Sequence, residues 1–211
     1  MRDKYVGWLA LLGIATFVVF ILYSFVVDVR AFIPDHVFFI FVTIVLYIGY
    51  ERWRLNLPIY ASVIIGLILH SAGVFGWYHI SPIPIAWERI THFFGILPLT
   101  LLFYNYFRPN LEKKCWTGNN VRYFLVILFV SLGIGALVEI IEFWGYLSLG
   151  FGEGALMFGA GDGVAGKTGQ ELIDVLGGGW INAGWDLTFN LLGALVGLAI
   201  MMIVHYAFKK K

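Results

Sequence analysis

Charged residues and cysteine are both scarce in this chain. Only 13% of its 211 residues are charged and 60% are hydrophobic, whereas soluble domains carry about 25% charged and about 45–50% apolar residues. This composition excludes a soluble domain and indicates an integral membrane protein. The single cysteine, Cys115, excludes an intramolecular disulfide and any metal site that needs several cysteines. The net charge of +1 gives no indication of a nucleic-acid partner, and we expect none.

Long apolar segments make up most of the sequence. A membrane-spanning helix needs about 20 mainly apolar residues, and six stretches meet or nearly meet that length. They are roughly Val6 to Val27, Ile33 to Tyr50, Ile59 to Tyr78, Trp87 to Phe107, Val121 to Tyr146 and Gly184 to Phe208. The sequence therefore predicts an all-α bundle of six transmembrane helices, which forms a single domain over residues 1–211 and has the lipid bilayer as its surroundings.

The distribution of basic residues predicts the orientation of the bundle. Most of the 14 Lys and Arg residues lie at the two termini or in the second and fourth loops. The opposite side holds only Arg30, Arg89 and Lys167. Because basic residues accumulate in cytoplasmic loops, we expect a multi-pass protein of the cell (plasma) membrane with both termini in the cytoplasm.

Polar residues inside the predicted spans gather at one level, in the outer half of the membrane. An ionised group in a bilayer costs several kcal/mol unless it faces protein, a partner or water, so such residues indicate a functional site. Spacings of three or four residues place each pair on one helix face. The pairs are Glu88 and His92 on the fourth helix, Glu139 and Glu142 on the fifth, and Asp186 and Asn190 on the sixth.

Histidine together with carboxylates is a donor set for Zn²⁺ or Mn²⁺, and carboxylates alone favour Mg²⁺. A metal at this level would activate water or polarise a phosphate oxygen. We predict four residues as catalytic groups and metal ligands: His92, Glu139, Glu142 and Asp186. We predict five as substrate-binding or orienting groups: His70, Glu88, Arg89, Lys167 and Asn190. A proton relay and a network that only fixes helix packing are the alternatives.

The segment from Leu147 to Ala183 is very rich in glycine and too long for an ordinary connection, so we predict a loop or lid over the polar cluster. Within it, Thr168 to Leu176 has the pattern of a short capped helix. Gly161 to Thr168 matches the P-loop pattern, but no strand precedes it, so no nucleotide is expected. Lys167 is instead a candidate ligand for a lipid-headgroup phosphate.

Small residues predict close contact between the last two helices. Gly193 and Gly197 share one face of the sixth helix, and Gly133 and Gly135 lie on the fifth. Glycines at such spacing let helix backbones approach in a membrane. Their contact would bring Asp186 and Asn190 against the two glutamates of the fifth helix.

The segment Asp186-Leu-Thr-Phe-Asn190-Leu-Leu-Gly193-Ala-Leu-Val-Gly197 resembles the D-x-x-x-N-x-x-G-x-x-x-G ending of VanZ-like membrane proteins. The order of Glu88-Arg-Ile-Thr-His92, Glu139-x-x-Glu142, a glycine-rich stretch and Trp185-Asp186 is similar to YjdF-type inner-membrane proteins. The resemblance covers about Ile64 to Val204 and implies the same site residues. VanZ-like proteins usually show Asp-Lys ahead of the histidine and often Gln in place of Glu142. That resemblance implies a role at the cell envelope, linked to glycopeptide-antibiotic resistance.

Three functions are compatible with these patterns. The leading hypothesis is a membrane-embedded enzyme, a metal-dependent hydrolase or transferase that acts on a lipid or lipid-linked envelope substrate. The second is a small transporter or proton-coupled carrier, which would need the polar path to continue towards the cytoplasm. The third is a structural or stress-response membrane component without catalysis.

Overall fold

The computed structural model describes residues 4–78, 80–149 and 169–207, and over residues 142–149 and 169–182 it describes the backbone alone. These residues form an all-α protein, and six of their helices are long and apolar enough to cross a membrane. The predicted six-span helical architecture is thereby confirmed. The helices are α1 (Val6–Val26), α2 (Ile33–Ile48), α3 (Leu57–Ala72), α4 (Trp87–Phe107), α5 (Gly118–Leu149) and α6 (Gly169–Tyr206). Short 3-10 turns at Arg30–Phe32 and Arg108–Asn110 flank α2 and α4, and a π-helical segment, Gly73–Trp77, continues α3.

The last helix is much longer than the sequence predicts. It begins at Gly169 and not at Gly184, and α5 runs on to Leu149. The predicted loop from residue 147 to 183 is therefore shorter at both ends, and residues 150–168 lie outside the described part. The stretch predicted as a short separate helix instead forms the first turns of α6. Helix propagation adds one hydrogen bond per residue, so α6 continues through Gly177–Gly179 although each glycine costs about 1 kcal/mol.

Helix α4 lies at the centre of the packing, between α3, α5 and α6, and its largest interface is with α6. A Cβ on Gly193 would lie 2.5 Å from the carbonyl oxygen of Phe93, and one on Gly197 would lie 3.0 Å from that of Leu97. Both glycines of α6 thus face α4, which corrects the expectation that they face α5. Gly135 does join α5 to α6, since a Cβ there would lie 2.7 Å from Asn190 Nδ2.

Proline inside α4 explains a further close contact. Pro98 has no N–H, so the carbonyl of Phe94, four residues earlier, lacks its helical donor. Gly66 of α3 lies against that oxygen, at a distance where an added Cβ would be 2.7 Å away. The missing side chain allows α3 to cover the carbonyl that Pro98 leaves exposed, and α4 continues as a helix to Phe107.

Two apolar cores fill the bundle at the end where the termini lie. One joins α1, α2 and α3, and the other joins α4, α5 and α6. Outside these cores many large apolar side chains are exposed, among them Trp8 and Phe129. Apolar surface of this extent is expected where helices face lipid chains. The polar clusters described next lie at the other end of the bundle.

Candidate functional site

The first cluster is built where three spans meet at one end of the bundle. Helix α4 begins there at Trp87, and α5 and α6 bring Glu139 and Asp186 against His92 of that helix. At about 1.5 Å of rise per residue, His92 lies about 8 Å into α4. The sequence-based expectation that polar side chains from these three helices share one level agrees with this arrangement.

His92 is the centre of the cluster, and its two ring nitrogens face different partners. Nδ1 lies 3.3 Å from Asn190 Oδ1 and 3.5 Å from Glu139 Oε1. Both neighbours offer acceptor atoms, so Nδ1 can carry the proton of a neutral imidazole. Nε2 lies 3.7 Å from Asp186 Oδ1, which is also an acceptor, so a neutral ring leaves a lone pair facing a carboxylate on one of its two sides. The side chains of His92 and Asp186 are 12% and 2% exposed, so bulk water does not screen them.

Glu88 completes a compact group with His92 and Asp186. One donor atom each from Glu88, His92 and Asp186 lie within 4.8 Å of one another, and among the described residues no other such group of three is found. Glu88 and His92 are four residues apart on α4 and share a face, while Asp186 comes from α6. The group therefore depends on the α4–α6 interface and on its two glycines.

The positions of Glu88 and Glu139 differ from those expected for their predicted roles. Glu88, predicted to orient other groups, lies in the compact group with His92 and Asp186. Glu139, predicted as a ligand, lies at the other ring nitrogen of His92. The side chain of Glu142 and the whole of Lys167 lie outside the described residues, so their predicted roles stay predictions.

Arg89 and Trp185 form a cation–π pair at the edge of the cluster. The guanidinium carbon lies 4.6 Å from the ring centroid of Trp185. Each residue is the sequence neighbour of a cluster member, Glu88 in α4 and Asp186 in α6. Among described residues Arg89 forms no ion pair within 4.0 Å.

His70, predicted as a member of the first site, belongs to a second cluster at the same end. Its Nε2 lies 3.3 Å from Asp35 Oδ2, and its Nδ1 lies 2.8 Å from the hydroxyl of Tyr78. The side chain of Asp35 is fully buried. Sequence reasoning missed Asp35 and Tyr78, although an acidic residue followed by His36 at the start of an apolar span was a signal for Asp35.

Comparison of the sequence with known proteins identifies a family, but no individual curated protein or solved structure. Searches among curated proteins and among solved structures found no significant match. The family match covers nearly the whole chain and every residue of both clusters. The chain belongs to the family described as predicted membrane proteins, DUF2238, which it matches over residues 8–207.

Proposed function

We propose that the protein is a membrane-embedded, metal-dependent hydrolase or transferase that acts on a lipid or lipid-linked phosphate. One observation carries this proposal: one donor atom each of Glu88, His92 and Asp186 converge within 4.8 Å. Two carboxylates and an imidazole lone pair repel one another at such distances unless a proton or a metal cation is bound between them. A divalent metal held by these three groups removes the repulsion. Imidazole with two carboxylates suits Zn²⁺ or Mn²⁺ better than Mg²⁺.

Glu139 has a supporting role in this proposal. Histidine ligands of metals nearly always donate their second N–H to a carboxylate or carbonyl, which fixes the ring and raises its basicity. Glu139 and Asn190 provide such acceptors at Nδ1 of His92. A metal on Nε2 would supply a Lewis acid for a phosphate oxygen or an activated water, while Glu139 holds the imidazole in the required tautomer.

The substrate class follows from position and charge. The cluster lies close to the start of α4, and we place it near the lipid headgroups rather than at the ends of the lipid chains. Arg89 packs against Trp185, the residue before Asp186, and guanidinium groups bind phosphate with two parallel hydrogen bonds. A lipid phosphate placed there would have its charge neutralised by Arg89 and its oxygen next to the metal group.

Orientation and family resemblance extend the proposal to the cell envelope. With both termini in the cytoplasm of a plasma-membrane protein, as the basic residues favour, the cluster faces the outer leaflet. The resemblance to VanZ-like and YjdF-type proteins supports an envelope substrate.

A carrier is less well supported than an enzyme. Between the cluster and the opposite end of the bundle, buried Thr100 and Ser131 each donate a hydrogen bond to a carbonyl of their own helix. Below them the apolar core includes Phe124 and Ile127. A polar path through the membrane needs groups that can exchange partners, and these hydroxyls are already occupied.

The test is metal content and lipid-phosphate hydrolysis by the purified full-length protein. We expect about one Zn²⁺ or Mn²⁺ per chain by elemental analysis, and loss of that metal in His92→Ala and Glu88→Gln. Release of inorganic phosphate from lipid phosphates in micelles should stop in both variants, because the metal is needed for the chemical step.

Glu51→Gln is the matched control, since Glu51 is an exposed glutamate outside the spans. It should keep both metal and activity. A wild-type protein that is folded, free of metal and unable to bind added Zn²⁺ or Mn²⁺ would refute the metalloenzyme. A metal-loaded protein that hydrolyses no lipid phosphate would refute the substrate class alone.

A further inference from the structure

The second cluster has the connectivity of a catalytic triad. Tyr78 Oη lies 2.8 Å from His70 Nδ1, and His70 Nε2 lies 3.3 Å from Asp35 Oδ2. A nucleophile, a base within hydrogen-bond reach and a third group that orients the base are the parts that covalent catalysis needs. A neutral imidazole that donates from Nε2 to the carboxylate accepts at Nδ1, so the Tyr78 hydroxyl donates its proton to His70.

This connectivity exists because the third span is broken at Gly76. In a regular helix residues 70 and 78 would be about 12 Å apart along the axis. The π-helical segment Gly73–Trp77 contains non-helical dihedrals at Phe75 (φ −82°, ψ 18°) and at Gly76 (φ 124°). These fold the chain back so that Tyr78 reaches His70. Breaks of this kind are frequent at functional sites.

Gly73 provides the space for the Tyr78 ring. A Cβ on Gly73 would lie 2.4 to 2.6 Å from three ring atoms of Tyr78, a distance that no side chain tolerates. The ring therefore lies directly on the helix backbone, one turn after His70. Gly76 allows the break and Gly73 allows the close contact, and together they place the Tyr78 hydroxyl against the His70 imidazole.

His36 is a further buried polar group beside the triad. It follows Asp35 in α2, its side chain is fully buried, and neither ring nitrogen forms a hydrogen bond with the described residues. Phe39 contacts the rings of both His36 and His70, and Phe75 stacks on His36 with centroids 5.5 Å apart. Buried polar atoms in proteins nearly always have a partner, and a nitrogen here can donate to the carbonyl of a bound molecule.

The surroundings distinguish between the electrophiles that tyrosine can attack. Aromatic rings line the cluster, among them Phe20, Phe39 and Phe75. The Asp35 carboxylate would repel an anionic phosphate placed beside it. A neutral acyl ester meets no such repulsion and suits surroundings of aromatic rings.

We propose that Asp35, His70 and Tyr78 form a second reactive site, in which Tyr78 takes up an acyl group from a neutral ester. The Tyr78 oxygen forms a bond to the ester carbonyl carbon, and the bond from that carbon to the alcohol oxygen breaks. His70 receives the phenol proton and passes it to the departing alcohol, while Asp35 stabilises the intermediate imidazolium. The products are acyl-Tyr78 and the free alcohol, and no metal takes part.

The site is separate from the metal group but close to it. The indole Nε1 of Trp87 donates a hydrogen bond of 2.9 Å to the carbonyl of Leu69. This bond joins the residue before Glu88 to the residue before His70, so the two sites share one end of the bundle. The proposal goes beyond lipid-phosphate hydrolysis and does not depend on it.

The experiment uses 4-nitrophenyl acetate with the full-length protein in detergent. We expect release of about one 4-nitrophenolate per chain in an initial burst, and mass spectrometry should find the acetyl group on Tyr78. General-base assistance contributes about 10²- to 10⁴-fold, so His70→Gln should slow acetylation of Tyr78 by about 100-fold or more. Asp35→Asn, which keeps the side-chain shape, should also slow it. A chelator should leave the rate unchanged, which separates this site from the metal group.

Two controls make the outcome decisive. Tyr106 is exposed and lies outside the cluster, and it should react slowly in the same sample, with Tyr106→Phe leaving the burst unchanged. Gly73→Ala removes no polar group but moves the Tyr78 ring, and it should lower the burst while the protein stays folded in a thermal-unfolding assay. Acetylation of Tyr78 no faster than of Tyr106 in the wild type would overturn the proposal. An unchanged Tyr78 rate in folded Asp35→Asn would overturn the role of the relay.

Discussion

At the scale of single residues, the carboxylates at the two nitrogens of His92 have different roles in the proposed metal site. Asp186 lies at Nε2, where the proposed metal binds, and Glu139 lies at Nδ1, where the proposal places the proton. We expect Glu139→Gln to lower metal affinity about 10- to 100-fold, because it changes only a contact to the nitrogen that does not bind the metal. Asp186→Asn should abolish stoichiometric binding. Metal titration of the two purified variants measures the difference, and equal affinities would contradict the assignment of the two nitrogens.

Asn120 is the residue on which the connection between α4 and α5 depends. It is fully buried, its Oδ1 accepts from the N–H of Glu112, and its Nδ2 is within 2.8 Å of both the Lys114 carbonyl and the Tyr206 hydroxyl. We expect Asn120→Ala to lower the free energy of unfolding by about 1–3 kcal/mol, since buried polar groups lose their partners. Thermal unfolding in detergent measures the loss. Asn119→Ala removes only a single hydrogen bond to Asn110 and should change stability far less.

At the scale of helices, the glycine face of α6 sets the distance to α4. A Cβ on Gly193 would lie 2.5 Å from the Phe93 carbonyl, which cannot move without bending α4. Gly193→Ala should therefore destabilise the protein by about 1–3 kcal/mol. It should also weaken metal binding, because the helices that hold His92 and Asp186 move apart.

Gly133→Ala is the matched control for that substitution. A Cβ at Gly133 meets nothing within 4 Å, and alanine is the better helix former by about 1 kcal/mol. It should leave metal binding unchanged and keep or raise the unfolding temperature. If Gly193→Ala behaved in the same way, close α4–α6 contact would not hold the site together.

Helices also show where sequence reasoning succeeds and where it stops. The hydropathy of a segment is the sum of contributions from its own residues, so it can be read from the sequence alone. It predicts α4 with both ends correct, at Trp87 and Phe107. The meeting of His92 with Asp186 was foreseen as a common depth, which follows from helix rise alone. The pairing of His70 with Tyr78 was not, because it depends on one reversed dihedral at Gly76. Local periodicity contains no information about such a break.

At the scale of the whole molecule, the unique cysteine reports orientation. Cys115 lies in the connection between α4 and α5, at the end opposite the two clusters. With that end in the cytoplasm, a membrane-impermeant maleimide should label Cys115 in inverted vesicles and not in intact cells. Burial raises the pKa of the Cys115 thiol, so less thiolate is present at neutral pH than for a free thiol. Labelling should be slow near pH 7 and accelerate as pH rises.

A cysteine moved to the other end serves as the control. Ile83 is 41% exposed in the connection between α3 and α4, so a protein with Cys115→Ser and Ile83→Cys should react in intact cells. Labelling of native Cys115 in intact cells would show the opposite orientation. The proposed lipid-linked substrate would then have to come from the inner leaflet.

The backbone conformation at Gly76 also disfavours every L-amino acid that has a side chain. A Cβ there would meet no atom within 4 Å, so space is not what excludes other residues. Its φ of 124° is disfavoured for L-amino acids and readily adopted by their mirror images. D-Alanine would thus fit at this position, whereas L-alanine would straighten the break and carry Tyr78 away from His70. Gly76 is therefore required for its backbone conformation and not for the space around it.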